Sequence, residues 1–212
     1  MPPLIPSRRA LLLGAVAATL PGMGATAAGL AATPSQTEGP FYPTVLPIDT
    51  DNDLVQVRGH QASAMGTVIH LDGRVLDVGG RPLSGARVEI WQCDAQGIYD
   101  HPRQRGRERR DAAFQGFGRV LTRSDGGYGF RTLKPVAYPG RAPHIHVKVM
   151  PAAGRGLTTQ FYVAGEAQNE RDFIFREIAR DPRQLERVEM VLRPAPGIEA
   201  GALAATLDIV IG

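Results

Sequence analysis

Apolar and polar residues alternate along much of the chain over short runs of five to twelve positions, and glycine or proline punctuates almost every run. Such alternation at a period of two marks half-buried β-strands. It predicts strands over 67–78, 86–92, 118–123, 128–133, 144–150, 187–192 and 203–211. Gly79-Gly80-Arg81-Pro82 closes the first of these and leads to a hairpin or a sandwich corner before the run around Val88, Ile90 and Trp91. Ser124-Asp125-Gly126-Gly127 is a turn of the Asp-Gly type between two further strands. One helical stretch is expected over 172–178, with an extension toward Leu185 interrupted by Pro182. Many short strands with Gly/Pro-rich loops and little helix predict an all-β fold, a two-layer β-sandwich.

Composition sharpens this picture without changing it. With 43% hydrophobic residues in 212, the chain has enough apolar content for one packed domain and is not a disordered polymer. The single cysteine, Cys93, excludes an intramolecular disulfide and a cysteine-rich metal site, so any metal must take nitrogen or oxygen donors.

The N-terminal 30 residues read differently. Ser7-Arg8-Arg9 precedes an apolar run from Ala10 to Leu20, and Ala25-Thr26-Ala27 follows as a small-residue cleavage site. This is the outline of a signal peptide, and the paired arginines resemble a twin-arginine export signal. The run contains Gly14 and is followed by Pro21, Gly22 and Gly24, too interrupted for a stable membrane span. Residues 1–30 are therefore expected to direct export to the periplasm or medium, and 31–212 to form the single domain. Without Arg8 and Arg9 the chain carries 22 basic against 21 acidic residues, a balance that does not point to nucleic acid. One local run, Arg103, Arg105, Arg107, Arg109 and Arg110, reads as a solvated loop or as a steering patch for an anionic substrate.

The segment richest in chemistry is Tyr138-Pro139-Gly140-Arg141-Ala142-Pro143-His144-Ile145-His146. In a strand, residues two apart share a face, so His144 and His146 present both imidazoles together while Ile145 and Val147 face the opposite layer. The pair alone fits either a chelating site or two hydrogen-bonded core histidines. Tyr138 and Arg141, just before it across a Pro-Gly turn, add weight to the first.

These residues resemble the intradiol ring-cleavage dioxygenases, a non-haem iron(III) family. The resemblance runs through Thr33-Pro34-Ser35-Gln36-Thr37-Glu38-Gly39-Pro40-Phe41-Tyr42-Pro43, then Val88-Glu89-Ile90-Trp91-Gln92 with Gly97-Ile98-Tyr99, Phe114-Gln115-Gly116-Phe117-Gly118-Arg119, the segment 135–149 and Thr158-Thr159-Gln160-Phe161-Tyr162. It implies that Tyr99, Tyr138, His144 and His146 hold one Fe(III), that Arg141 stabilises negative charge developing on the aromatic ring, and that Gln160 lines the pocket. It further implies a small aromatic diol as substrate, O2 as co-substrate, Tyr138 as the ligand that yields to substrate and takes its proton, and a muconate-type diacid as product. The donor set suits the metal, because a hard ferric ion favours anionic oxygen, and two phenolates plus one hydroxide would balance its charge within a sandwich core. A homo- or hetero-oligomer is compatible with the resemblance.

Trp91 and Tyr128 are expected to pack the core, and His60, His70 and His101 carry no ligand role. Two other readings stand beside this one: another histidine-based metalloenzyme, such as a divalent-metal hydrolase or cupin-like dioxygenase, and a secreted sandwich that binds without catalysis. The first lacks a carboxylate near the histidine strand. The second is opposed by the intact set of four ligands with Arg141.

Overall fold

The structure is a computed structural model that describes residues 29–212; the export signal expected over the first 30 residues lies almost wholly outside the described part. Strands β1 (Val68–Asp77), β2 (Arg87–Trp91), β3 (Phe117–Leu121), β4 (Gly127–Leu133), β5 (His144–Met150), β6 (Leu157–Val163), β7 (Glu189–Met190), β8 (Arg193–Pro194), β9 (Leu203–Thr206) and β10 (Ile209–Ile211) make two five-stranded sheets. The sandwich expected from the alternation is present.

In the first sheet β1 is the axis. One edge of β1 pairs antiparallel with β4, and the other pairs in parallel first with β9 and then with β10. The expected single strand over 203–211 is thus two strands with a break at Leu207 and Asp208. At that break the backbone of Leu207 crosses so close to Gly73 that a Cβ there would overlap the Leu207 carbonyl, and only glycine fits. Tyr128 donates its hydroxyl to the same carbonyl at 2.6 Å, so its expected core role is realised with its polar end paired.

The second sheet runs β3-β2-β5-β6-β7. Neighbouring strands in sequence therefore divide between layers: β1 and β2 lie in different sheets, and so do β3 and β4. The Asp125-Gly126 turn accordingly carries the chain across the sandwich and does not close a hairpin, a correction to the hairpin signature of that dipeptide. Strand β6 belongs to this sheet without the alternation of a half-buried strand, because both of its faces are largely buried. The strand expected over 187–192 shortens to two residues that pair with β6.

Between the sheets, Ile69, Leu71, Val75, Phe130 and Leu133 meet Val88, Ile90, Ile145, Val147, Val149 and Phe161, nearly all wholly buried. Each such side chain contributes about 1.5–3 kcal/mol relative to exposure. The opposite face of the second sheet carries Trp91, His144, His146, Gln160 and Tyr162. It is buried too, under the segment 33–43, the loops around Tyr99 and Tyr138, and helix α1 (Phe173–Ile178). The expected helical stretch and its interruption before Leu185 are both present: α1 ends at Ile178 and α2 (Pro182–Leu185) restarts with Pro182 in its first turn, where a missing N–H is no loss.

Candidate metal centre

The β5 alternation places both imidazoles on one face, as expected; that face is the outer one, while Ile145 and Val147 enter the inter-sheet core. His144 Nδ1 lies 2.6 Å from the Ala142 carbonyl, the arrangement of an N–H donor, which leaves the Nε2 lone pair free. His146 Nε2 lies 3.2 Å from His144 Nε2, and His146 Nδ1 is buried with no hydrogen-bond partner among the described residues. Burial first, and then the Arg141 cation, holds the His144 pKa down at about 4. Burial, then His144 and Arg141, hold that of His146 well below the ordinary imidazole value. Both rings are neutral donors at physiological pH.

Tyr99 and Tyr138 complete a closed circuit around this pair. Ring centroids are 5.5 Å apart for Tyr138 and His144, 4.8 Å for His144 and His146, 6.3 Å for His146 and Tyr99, and 5.7 Å for Tyr99 and Tyr138. Tyr99 arrives from the loop after β2, where the Asp94 carboxylate accepts from the Gln96 and Ile98 amides and shapes the turn. Tyr138 comes from the Tyr138-Pro139-Gly140-Arg141 turn, with proline second and Gly140 at φ +82°, closed by the Arg141 amide on the Tyr138 carbonyl at 2.9 Å. This turn sets Tyr138 and Arg141 side by side. The structure therefore brings together all four residues expected as ligands.

Burial raises the phenol pKa of both tyrosines, while Arg141 works in the opposite direction on each. The Tyr99 hydroxyl, beside that of Tyr138, is buried without a hydrogen-bond partner among the described residues. The two Nε2 atoms share one hydrogen bond when His146 carries its proton there, but the Tyr99 oxygen is left unpaired among the described residues; a cation held by both Nε2 lone pairs and by phenolates that have shed their protons satisfies all of these groups. The residues fit a metal. No cluster of three or more His, Cys, Asp or Glu occurs among the described residues, so oxygen donors here are phenolic, the preference of a hard ion. Cys93 is buried nearby with its thiol pKa pushed up to about 12 by burial, then by Asp94, and stays protonated.

Arg141 is mostly buried. Its Nε donates to Asp172 at 2.9 Å, Nη1 reaches the Tyr138 hydroxyl at 3.4 Å and Nη2 donates to Gln160 Oε1. Although burial opposes its charge, Tyr138 and Asp172 outweigh that and raise its pKa. Gln160 is wholly buried, its Nε2 donating to the Thr37 carbonyl at 2.9 Å while Oε1 also accepts from Tyr162 at 3.2 Å. Its amide ties Arg141 to the covering segment.

That segment encloses the centre. Phe41 stacks on Tyr99 with centroids 4.5 Å apart, and Gly39 at φ +71° lies so close that a Cβ would stand 3.3 Å from His146 Cε1. A cavity of about 200 Å³, lined by Tyr138, Gly140, Arg141, Gln168, Arg171 and Asp172, opens on the Tyr138 side. The arginine run is absent from its lining. Arg107 and Arg110 instead pair with Asp100 in the loop beyond Tyr99. His101 is buried edge-on to Phe41, and His60 and His70 stand apart from the centre. One expectation changes: the centre lies on the outer face of one sheet beneath loops, and not in the core between sheets.

Asp172 and the covering residues Gly39 and Phe41 are functional neighbours that residue-level reading did not single out. Asp172 did carry a signal, since an aspartate before Phe173 marks a helix N-terminus.

A family model described as Dioxygenase matches residues 37–192. The protocatechuate 3,4-dioxygenase beta chain of Burkholderia cepacia is 36% identical over 172 residues, covering 76% of this chain and 71% of that one. Catechol 1,2-dioxygenase 1 of Acinetobacter lwoffii is 31% identical over 161 residues, covering 68% of this chain and 50% of that enzyme, so this chain spans about half its length. Among solved structures, the dioxygenase domain of a dioxygenase carbohydrate-binding protein fusion from Streptomyces sp. SirexAA-E superposes with a TM-score of 0.66 at 31% identity, covering 85% of this chain and 98% of that domain. With the fold, the circuit of two tyrosines and two histidines, and a match across most of its length, the chain belongs to the intradiol ring-cleavage dioxygenase family.

Proposed function

We propose that this protein cleaves a catechol-type aromatic diol between its two hydroxylated carbons with O2, giving a muconate-type diacid. Tyr99, Tyr138, His144 and His146 would hold one ferric ion. The observation that carries this reading is their closed circuit, in which the Nε2 atoms face each other at 3.2 Å and the Tyr99 oxygen is buried without a partner among the described residues. A bound ferric ion would supply Lewis acidity to ionise the diol and open its ring carbon to O2.

The chain's own residues divide the remaining work. Tyr138, half-buried beside the cavity and held by Arg141, would be a phenolate as a metal ligand, and that phenolate oxygen would take a proton from the entering diol and become a neutral phenol. Arg141, anchored by Asp172 and Gln160, keeps a fixed positive charge beside the ring as it becomes electron-rich, worth roughly 3–4 kcal/mol when such a preorganised donor is removed. Tyr99, stacked under Phe41, remains in place and, with Gly39 and Trp91, excludes water. Residues 1–30 are proposed to export the protein.

A panel of catechols, protocatechuate and hydroxyquinol assayed by oxygen uptake, with product mass under ¹⁸O2, tests the reading. The expected product is a diacid containing both oxygen atoms. A semialdehyde as sole product, or no turnover by iron-loaded protein across the panel, overturns it.

A further inference from the structure

We propose that Asp172 is a positioning residue for this reaction, acting through Arg141; the inference rests on the function proposed above. The Asp172 side chain is completely buried and receives four donors. Oδ1 accepts from the amides of Ile174 at 2.9 Å and Phe175 at 3.3 Å, which is the whole of an N-cap. Serine, threonine or asparagine would do that equally well.

Oδ2 has a separate task. It accepts from Arg141 Nε at 2.9 Å and from the Ala142 amide at 2.9 Å. All four groups aimed at the side chain are donors, so an acceptor-only carboxylate fits and a carboxamide does not. Arg141 has no other carboxylate partner among the described residues. Because a guanidinium is planar, fixing Nε fixes where the other two nitrogens point, here Nη1 toward Tyr138 and Nη2 toward Gln160. The same oxygen holds the amide of Ala142, and the carbonyl of that residue, in the next peptide, accepts from His144. A buried carboxylate at the start of α1 thus sets the direction of the charge that faces the ring.

Asp172→Asn in the full chain separates the two tasks, since the carboxamide oxygen keeps the cap while its NH2 meets two donors. The expected loss in kcat for catechol is about 10–100-fold, with KM changed only a few-fold and iron content unchanged. In an Arg141→Ala background, adding Asp172→Asn should change kcat by less than about twofold, because neighbours acting as one unit are not additive. In metal-free protein, hydrogen exchange at Arg141 Nε–H, followed by ¹⁵N NMR, should be at least about tenfold faster in the variant, since that hydrogen bond is what protects it. Should Asp172→Asn fail to fold, Asp172→Ser keeps a cap without the carboxylate and gives the same readouts. Equal kcat losses in both backgrounds, or unchanged exchange at Arg141, make Asp172 a helix cap alone and overturn the proposal. A wild type inactive on every catechol, with the exchange difference intact, sinks the proposed function and leaves the anchoring of Arg141 standing.

Discussion

Trp91 lies flat against His146, with ring centroids 4.8 Å apart and planes 7° apart. They are register partners across β2 and β5. The two candidate histidine ligands are therefore held by different means. His144 is oriented by a hydrogen bond to Ala142, whereas His146 has no partner at Nδ1 and is gripped between the indole and the backbone at Gly39. Trp91 is also the only tryptophan in the chain. Its emission should be quenched as ferric ion is titrated in, with an endpoint at one metal per chain, and should recover on chelation. An emission unchanged at full iron occupancy would place the metal away from His146.

Tyr99 and Tyr138 should not be equivalent. Tyr99 is nearly inaccessible under Phe41, whereas Tyr138 is half-buried at the cavity. Wild-type holoprotein should be burgundy to red-brown from tyrosinate-to-iron charge transfer. Tyr138→Phe should retain iron, lose part of the visible band and bind catechol more slowly, while Tyr99→Phe should lose iron content. Wild-type binding rate and spectrum in Tyr138→Phe would remove Tyr138 from the ligand set.

Gly39→Ala adds a methyl group 3.3 Å from His146 Cε1 at a backbone φ of +71°. The conformational strain costs about 1–2 kcal/mol. A drop of several degrees in Tm with lowered iron occupancy is expected; an unchanged Tm would mean that the covering segment is not fixed against the histidine.

Arg131, and to a smaller extent His70, hold the Glu199 pKa down at about 2. A depressed carboxylate stabilises the fold above its unfolded pKa, near 4.3, and loses that contribution as pH falls toward about 2. The group is partly solvated, so the effect should not exceed about 1 kcal/mol. Urea denaturation should find Glu199→Gln less stable than wild type at pH 7, with the gap narrowing at pH 3. A constant gap would exclude charge pairing as its source.

Replacing Arg8 and Arg9 by lysine should retain the protein inside the cell, since a twin-arginine signal is read through that pair. Fractionation with an unchanged exported yield would reject this route.

Local patterns settled much of this protein in advance. A period of two in β5 put both imidazoles on one face, and Tyr138-Pro139-Gly140-Arg141 required a turn that sets tyrosine beside arginine. Both follow from backbone geometry over a few residues. Which face of the sheet holds the centre was not local. His144 and His146 face away from the inter-sheet core and are buried only because segments distant in sequence, at Gly39, Phe41 and Tyr99, fold over them. The Asp-Gly turn between β3 and β4 fits a hairpin and a crossing between layers equally well, because turn chemistry specifies only a reversal, while partner choice depends on which apolar faces can be buried together. Asp172 was expected as the first residue of the helix, and the structure makes it the cap before Phe173. That its second oxygen anchors Arg141 depends on α1 packing Phe175 and Ile178 against Tyr162 and Ala142, 10 residues or more away along the chain. Hydrophobic burial brings those elements together, and only then do the polar atoms find each other.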